Sequence, residues 1–181
     1  VTFKVAPDYE NPLDQDLDNR YELTTHIYSY DSGNSNYVSN DSHKIDDSFN
    51  VDVQNINDIA PVFTSEATFS AEENQVTTTN IGRVTATDVD GLSAITYSIS
   101  GSELTINDSG FLFFVSAPDY ETKSSYTATV TASDGINTTT QDITVNVTNV
   151  NDNSPVFTSS PTLSAAENQT AIDTVTATDA D

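Results

Sequence analysis

The chain has 181 residues, with 28 acidic side chains against 5 basic ones and a formal net charge of −23. So few cations cannot neutralise a nucleic-acid backbone, and the charge opposes an anionic membrane surface. No apolar run approaches the ~20 residues that cross a bilayer, and zinc is unsuited, since Cys is absent and His26 and His43 are the only imidazoles. Aromatics at 9%, with Val, Ile and Tyr in regular alternation, favour folded domains over an acidic disordered tail. The first residue is Val1, which suggests a fragment of something longer.

In chain order, Ala6-Pro7-Asp8-Tyr9-Glu10 comes first, followed by the acidic run Asp14-Gln15-Asp16-Leu17-Asp18-Asn19. That run starts like an EF-hand loop, then departs from it. Asn19 stands where Gly is needed and Thr25 where the bidentate Glu belongs, so it reads as an acidic insertion loop. The stretch from Asp31 to Ser48 is polar and is expected to be a loop, read as a plain insertion in preference to a recognition surface; His26 and His43, the two imidazoles of the chain, read as ordinary surface residues. A linker follows at Asn55 to Ala60. Beyond it, Ile81, Val84 and Ala86 precede a loop, Ala94 to Ile99 alternates, and Phe111 to Val115 is a short apolar run. Tyr126, Ala128, Val130 and Ala132 share one face of a segment, and Ile143, Val145 and Val147 share another. Period-2 alternation broken by Gly, Asn, Asp and Ser marks strands. No stretch carries helical spacing with caps.

The sequence repeats itself. Asn57-Asp58-Ile59-Ala60-Pro61-Val62-Phe63-Thr64-Ser65 returns as Asn151-Asp152-Asn153-Ser154-Pro155-Val156-Phe157-Thr158-Ser159, 94 positions on, and Glu73-Asn74-Gln75 returns at Glu167-Asn168-Gln169. Val84 to Asp90 matches Val175 to Asp181, and Ala6 to Glu10 matches Ala117 to Glu121. Four motifs in one order divide the chain into the back of one repeat (1–59), a complete repeat with its linker (60–154) and the front of another (155–181). Roughly seven short strands per repeat predict an all-β fold, a tandem series of Greek-key sandwiches.

The acids of these motifs fall at strand ends and in loops. A single exposed Asp or Glu there is usually a solvated turn former. Here Asp88 with Asp90, and Asp119 with Glu121, place paired carboxylates on one side of extended segments. Convergent carboxylates repel unless a cation joins them, and calcium, which takes six to eight oxygens, suits the set.

These motifs resemble those of the cadherin repeat family, in a style similar to bacterial cadherin-like arrays. Pro-Asp-Tyr-Glu is similar to the family's Leu-Asp-Arg-Glu, Asp88-Val89-Asp90-Gly91 to its Asp-x-Asp-x-Gly, and Asn149-Val150-Asn151-Asp152-Asn153-Ser154-Pro155 to its Asp-x-Asn-Asp-Asn-x-Pro linker. Glu73 resembles its early glutamate and Asp134 its late aspartate. The resemblance implies up to three calcium ions at each junction between repeats. For the first junction it implies Asp8, Glu10, Asn55, Asn57, Asp58, Asp88, Asp90 and Asp134, whose six carboxylates balance three calcium ions. For the second it implies Glu73, Asp119, Glu121, Asn149, Asn151, Asp152, Asp179 and Asp181. Departures weaken the match: Asn55 and Asn149 replace a linker aspartate, Ile59 replaces the last linker Asn, and no Asn follows Gly91.

The expectation is therefore an extracellular or cell-surface adhesion and structural module, part of a larger membrane-attached or secreted protein, in which Ca2+ stiffens a tandem array. Its expected partners are calcium and neighbouring repeats, with homophilic binding and contacts to other cell-surface proteins or glycans left open. The alternative is a carbohydrate- or ligand-binding module, for which the absence of Trp is unfavourable. An enzyme is not expected, because the two His residues stand in no nucleophile–base arrangement.

Overall fold

Strands alone, with turns between them, make up the regular structure of the described chain. The computed structural model describes residues 2–14, 16–28, 30–31, 36–37 and 44–181, and these contain no α-helix. Contacts divide the molecule into two compact units, one of Val1–Ile59 with Val89–Leu92, the other of Ala60–Asp88 with Ser93–Asp181.

The first unit is built on β1 (Arg20–Tyr28) and β4 (Lys44–Asp52), with the short pair β2 (Tyr30–Asp31) and β3 (Asn36–Tyr37) joined antiparallel. β1 and β4 run antiparallel from Arg20↔Asp52 to Tyr28↔Lys44. This register sets Tyr21 against Val51 and Leu23 against Phe49, so alternation gathers the apolar residues on one face. Phe3 closes edge-on against the Tyr21 ring with centroids 5.0 Å apart. The stretch expected to be a loop to Ser48 is shorter than its polarity suggested. Strand β4 starts at Lys44, because backbone pairing with β1 needs no apolar side chain on the outward face. Of the other expectations in this region, His26 lies on β1, and His43 lies outside the described residues.

The second unit opens with β5 (Val62–Phe63), β6 (Thr68–Glu72), β7 (Gly82–Arg83) and β8 (Ala86–Thr87). It continues through β9 (Thr96–Ile99), β10 (Leu104–Ile106), β11 (Phe111–Phe114), β12 (Ser125–Ser133) and β13 (Thr138–Thr148). One sheet has the order β6-β13-β12-β9, the other β10-β11-β7. All neighbours are antiparallel except β6, which lies parallel to β13 from Thr68↔Thr144 to Glu72↔Thr148. The region 60–154 thus holds nine strands where about seven were expected. Two-residue pairings such as β5 with β8 make separate ribbons of what periodicity merges.

The two sheets face each other across Ala71, Val84, Leu104, Leu112, Phe114, Val130, Ile143, Val145 and Val147. Leu112, Val130, Val145 and Val84 are fully buried. Phe114 of β11 meets Tyr126 of β12 edge-to-face at 5.1 Å, tying one sheet to the other. At the β10–β11 turn Gly110 adopts φ +83° and lies so close to the Val84 carbonyl that a Cβ would strike it.

The end of this unit repeats its beginning. β14 (Val156–Phe157) pairs antiparallel with β15 (Ala177–Thr178) in the same way that β5 pairs with β8. Thr64 N donates to Thr85 O at 2.8 Å, and Thr158 N donates to Thr176 O at 2.9 Å. Each pair also joins its threonine hydroxyls, at 2.9 Å and 2.8 Å. Sequence repetition is here a repetition of hydrogen bonds.

Candidate metal centre

In the first unit, a turn and a short excursion bring acids together. The Asp8 carboxylate accepts hydrogen bonds from the backbone N–H of Glu10 at 3.1 Å and of Asn11 at 3.2 Å, which bends the chain at Glu10. The excursion is Val89–Leu92, turned by Gly91 at φ +62°. Its Asp90 is only 5% exposed and accepts from Ile59 N at 2.8 Å through Oδ2, while its backbone carbonyl accepts from Asn55 Nδ2 at 2.9 Å. Carboxylate oxygens of Glu10, Asp58 and Asp90 all lie within 4.8 Å of one another. Desolvation, together with the negative charges of Asp90 and Asp58, raises the Glu10 pKa, against a lowering backbone hydrogen bond. Glu10 Oε1 and Asn55 Oδ1 are buried and accept no hydrogen bond from any described residue. Unpaired buried oxygens facing a surplus of negative charge fit a hard cation.

Of the other residues expected at the first junction, Asn57 lies half-buried in the linker of this unit. Asp88 and Asp134 belong to the second unit. Asp134 is 3% exposed and accepts from Ile136 N at 2.7 Å and Asn137 N at 2.6 Å, which closes the turn between β12 and β13.

In the second unit Glu73 organises the acids. It follows β6, is 4% exposed, and spends both oxygens on backbone donors: Oε2 on Tyr120 N at 2.8 Å and Oε1 on Val150 N at 2.7 Å. One side chain thereby pins the Asp119–Glu121 turn and the segment leaving β13. Two carboxylate groups result, Glu73–Asp119–Glu121 and Glu121–Asp152–Asp181, each with oxygens within 4.8 Å of one another. Glu121 belongs to both. Desolvation raises its pKa, and the charges of Glu73 and Asp181 add to the rise, while hydrogen bonds from its own backbone and from Asn153 oppose it. Asp181 is held below its ordinary value, first by the Asn153 side-chain amide, which lies 3.1 Å away.

Asp119 also accepts from Thr122 N at 3.0 Å and from its hydroxyl at 2.8 Å. Asp179 accepts from Asp181 N at 3.5 Å, and Asn149 and Asn151 are exposed on the linker. Two residues outside the expected set join the second group. Asn74 donates to Asp152 Oδ2, and Asn153 donates to Asp152 Oδ1 at 3.0 Å as well as to Asp181. The signal for Asn74 was present in the repeated Glu-Asn pair, because both Asn74 and Asn168 take left-handed φ, at +61° and +65°.

The chain is similar to several known proteins. The family model for the cadherin domain matches residues 67–148. The Cadherin EGF LAG seven-pass G-type receptor 2 of Homo sapiens is 38% identical over 121 residues, 62% of this chain but 4% of the receptor. A solved structure of Protocadherin Gamma B2 extracellular cadherin domains 3-6 superposes at a TM-score of 0.71 with 27% identity, covering 94% of this chain and 46% of that one. Chicken VE-cadherin EC1-2 is 30% identical, with a TM-score of 0.51 and 77% of this chain aligned to 71% of that structure. The chain belongs to the cadherin family.

Cadherin domains are adhesion modules and not enzymes. This cadherin segment carries one further acidic group, on the loop before β1. The carboxylate oxygens of Asp14, Asp16 and Asp18 lie within 4.8 Å of one another. Sequence spacing had dismissed that loop. Asn19, which seemed to lack the freedom of Gly, takes φ +63°, as Asn does more readily than most residues.

Proposed function

We propose that this cadherin segment is an extracellular adhesion and spacer module whose repeats, 1–59, 60–154 and 155–181, are joined through calcium. The observation that carries the reading is the place of Glu121 in two carboxylate groups at once. A carboxylate shared by two clusters suits adjacent cations bridged by one side chain. Support also comes from the donor set, which is oxygen throughout, and from the Glu10–Asp58–Asp90 group with its unpaired Glu10 and Asn55 oxygens.

In this reading the chain's own residues do most of the work before any ion arrives. Glu73 holds the Asp119–Glu121 turn against the segment after β13, and Asn74 and Asn153 orient Asp152 and Asp181. Bound calcium supplies the positive charge that lets these acids remain close. Thermal melts in calcium, magnesium and chelator test the proposal. At ~100-fold excess over its dissociation constant, one calcium site adds about 2.7 kcal/mol, and magnesium, which demands tighter octahedral geometry, adds less. Equal melting temperatures in all three would remove the proposal.

A further inference from the structure

Among the described residues, none of the grouped carboxylates lies on the sheet β10-β11-β7, and its hairpin turn offers chemistry of another kind. Asn-x-Ser or Asn-x-Thr, with any residue but Pro between, is the acceptor pattern for an asparagine-linked glycan. The described residues hold it at Asn107-Asp108-Ser109, Asn137-Thr138-Thr139, Asn146-Val147-Thr148 and Asn168-Gln169-Thr170. So short a pattern also arises by chance, and the setting of each amide decides between them. Asn137 Nδ2 donates to Asp134 Oδ2 at 3.3 Å, inside the turn that Asp134 closes. Asn146 stands in mid-sheet opposite Ser125 of β12 and Ser70 of β6, where a branched sugar would lie across both neighbours. Asn168 takes the place that Asn74 holds one repeat earlier, and Asn74 spends its amide on Asp152.

Asn107 differs from all three. It is exposed, as are Asp108 and Ser109, at the turn joining β10 to β11. Backbone bonds close that turn: Asn107 N donates to Phe111 O at 3.1 Å, and Gly110 N donates to Asn107 O at 2.9 Å. Asn107 Oδ1 accepts from Ser109 N and from Phe111 N, each at 3.0 Å. Two N–H donors on one atom mark it as the oxygen, so Nδ2 is the atom left outside. From β7, Arg83 Nε donates to Ser109 O at 2.8 Å, and its guanidinium lies 5.3 Å from the Phe111 ring centre. The turn is thus held without using Asn107 Nδ2 or the Ser109 hydroxyl, and neither has a hydrogen-bond partner among the described residues. Those are the two groups that glycan transfer requires. We infer that Asn107 is the acceptor of an asparagine-linked glycan, carried outward on the β10–β11 turn.

The sugar comes from an oligosaccharide joined through a diphosphate to a lipid, handed over by a transferase during secretion, a route open to an extracellular chain. The bond from Asn107 Nδ2 to the anomeric carbon forms as the bond from that carbon to the diphosphate oxygen breaks. The lipid diphosphate leaves with the electron pair, and Nδ2 gives up one proton. Asn107 Oδ1 keeps both of its hydrogen bonds, so the turn accepts the glycan without rearranging. The test is secretion of the full chain from cultured animal cells. A glycosidase then converts each glycan-bearing Asn to Asp in heavy-oxygen water, and peptide mass spectrometry reads where the label falls. Label is expected at position 107 in the parent and in Ser109→Thr, which keeps a hydroxyl, and is expected to vanish in Ser109→Ala, which keeps Asn107 itself. The reading on the parent does not depend on a variant folding. A secreted parent unlabelled at position 107, whether or not Asn137, Asn146 or Asn168 carries label, would overturn the inference. So would label at position 107 that survives Ser109→Ala unchanged.

Discussion

Glu73 is a buried acid that contributes before any cation binds. Its two hydrogen bonds to backbone N–H groups at Tyr120 and Val150 are of the charged kind, worth about 1.5–3 kcal/mol each. Glu73→Ala should therefore destabilise the calcium-free protein by roughly 3 kcal/mol, as checked by urea unfolding in chelator. Glu121→Gln should weaken calcium binding yet leave the calcium-free protein at least as stable as the parent, because Glu121 is exposed and its raised carboxyl opposes folding. The raised carboxyls of Glu10 and Glu121 set a pH dependence of definite sign. Their folded-state values lie above the ordinary 4.5, so the folded state binds protons more tightly than the unfolded chain. Without calcium these two groups oppose folding most at neutral pH, and that opposition fades as pH falls through their raised values. Asp181, held below 3.8, acts the other way: its contribution is present above its ordinary value and is lost as pH falls through the lowered one. Calcium affinity should accordingly decline as pH drops from neutral toward the ordinary carboxylate range, earlier than unshifted carboxylates would allow. Calcium titrations across that range check this, and a flat affinity would speak against Glu10 and Glu121 as ligands.

Among the elements, β11 carries the most packing in the fewest residues. Leu112 is fully buried and its strand pairs on both sides, with β10 and β7. Leu112→Ala should cost about 2–5 kcal/mol, measured as a lowered midpoint in urea. Gly110→Ala should be comparably damaging, since it adds both a Cβ against Val84 O and strain at φ +83°. The β character of these elements was legible because alternation is local. Ile143, Val145 and Val147 announce one buried face by spacing alone. The nine strands of region 60–154 were less legible, because β7 and β8 are two-residue pairings that leave no periodicity to detect. The same contrast holds for the acids. Repetition pointed to Glu73, Asp119 and Glu121, and the structure brings their carboxylates together. Asn153 was read only as part of the linker motif and not selected with Asn149 and Asn151, although its amide holds Asp152 and Asp181. Asp14, Asp16 and Asp18 were set aside for want of Gly at position 19 and Glu at position 25; a left-handed Asn19 answers the first objection, and Thr25, which lies within β1, leaves the second in place.

For the molecule as a whole, the proposed calcium role makes a prediction about solution behaviour. With chelator, the six carboxylates expected at the first junction should repel one another, so neighbouring repeats should sample many orientations. Small-angle scattering on a longer stretch with several complete repeats should show a larger and narrower distribution of maximum dimension once calcium is added. An unchanged profile with calcium bound would confine the ions to stabilising single repeats. The parallel pairing of β6 with β13 adds a consequence of another kind. β6 lies near the start of the whole repeat and β13 at its end, and they point the same way. A pull applied to the chain at both ends of that repeat therefore drags β6 and β13 past each other along their length. The hydrogen bonds spanning Thr68↔Thr144 to Glu72↔Thr148 are loaded together in shear and cannot open one at a time like a zip. A protein that bears tension between surfaces is best built with its terminal strands arranged in this way, and stretching single molecules should show this repeat yielding in one abrupt step.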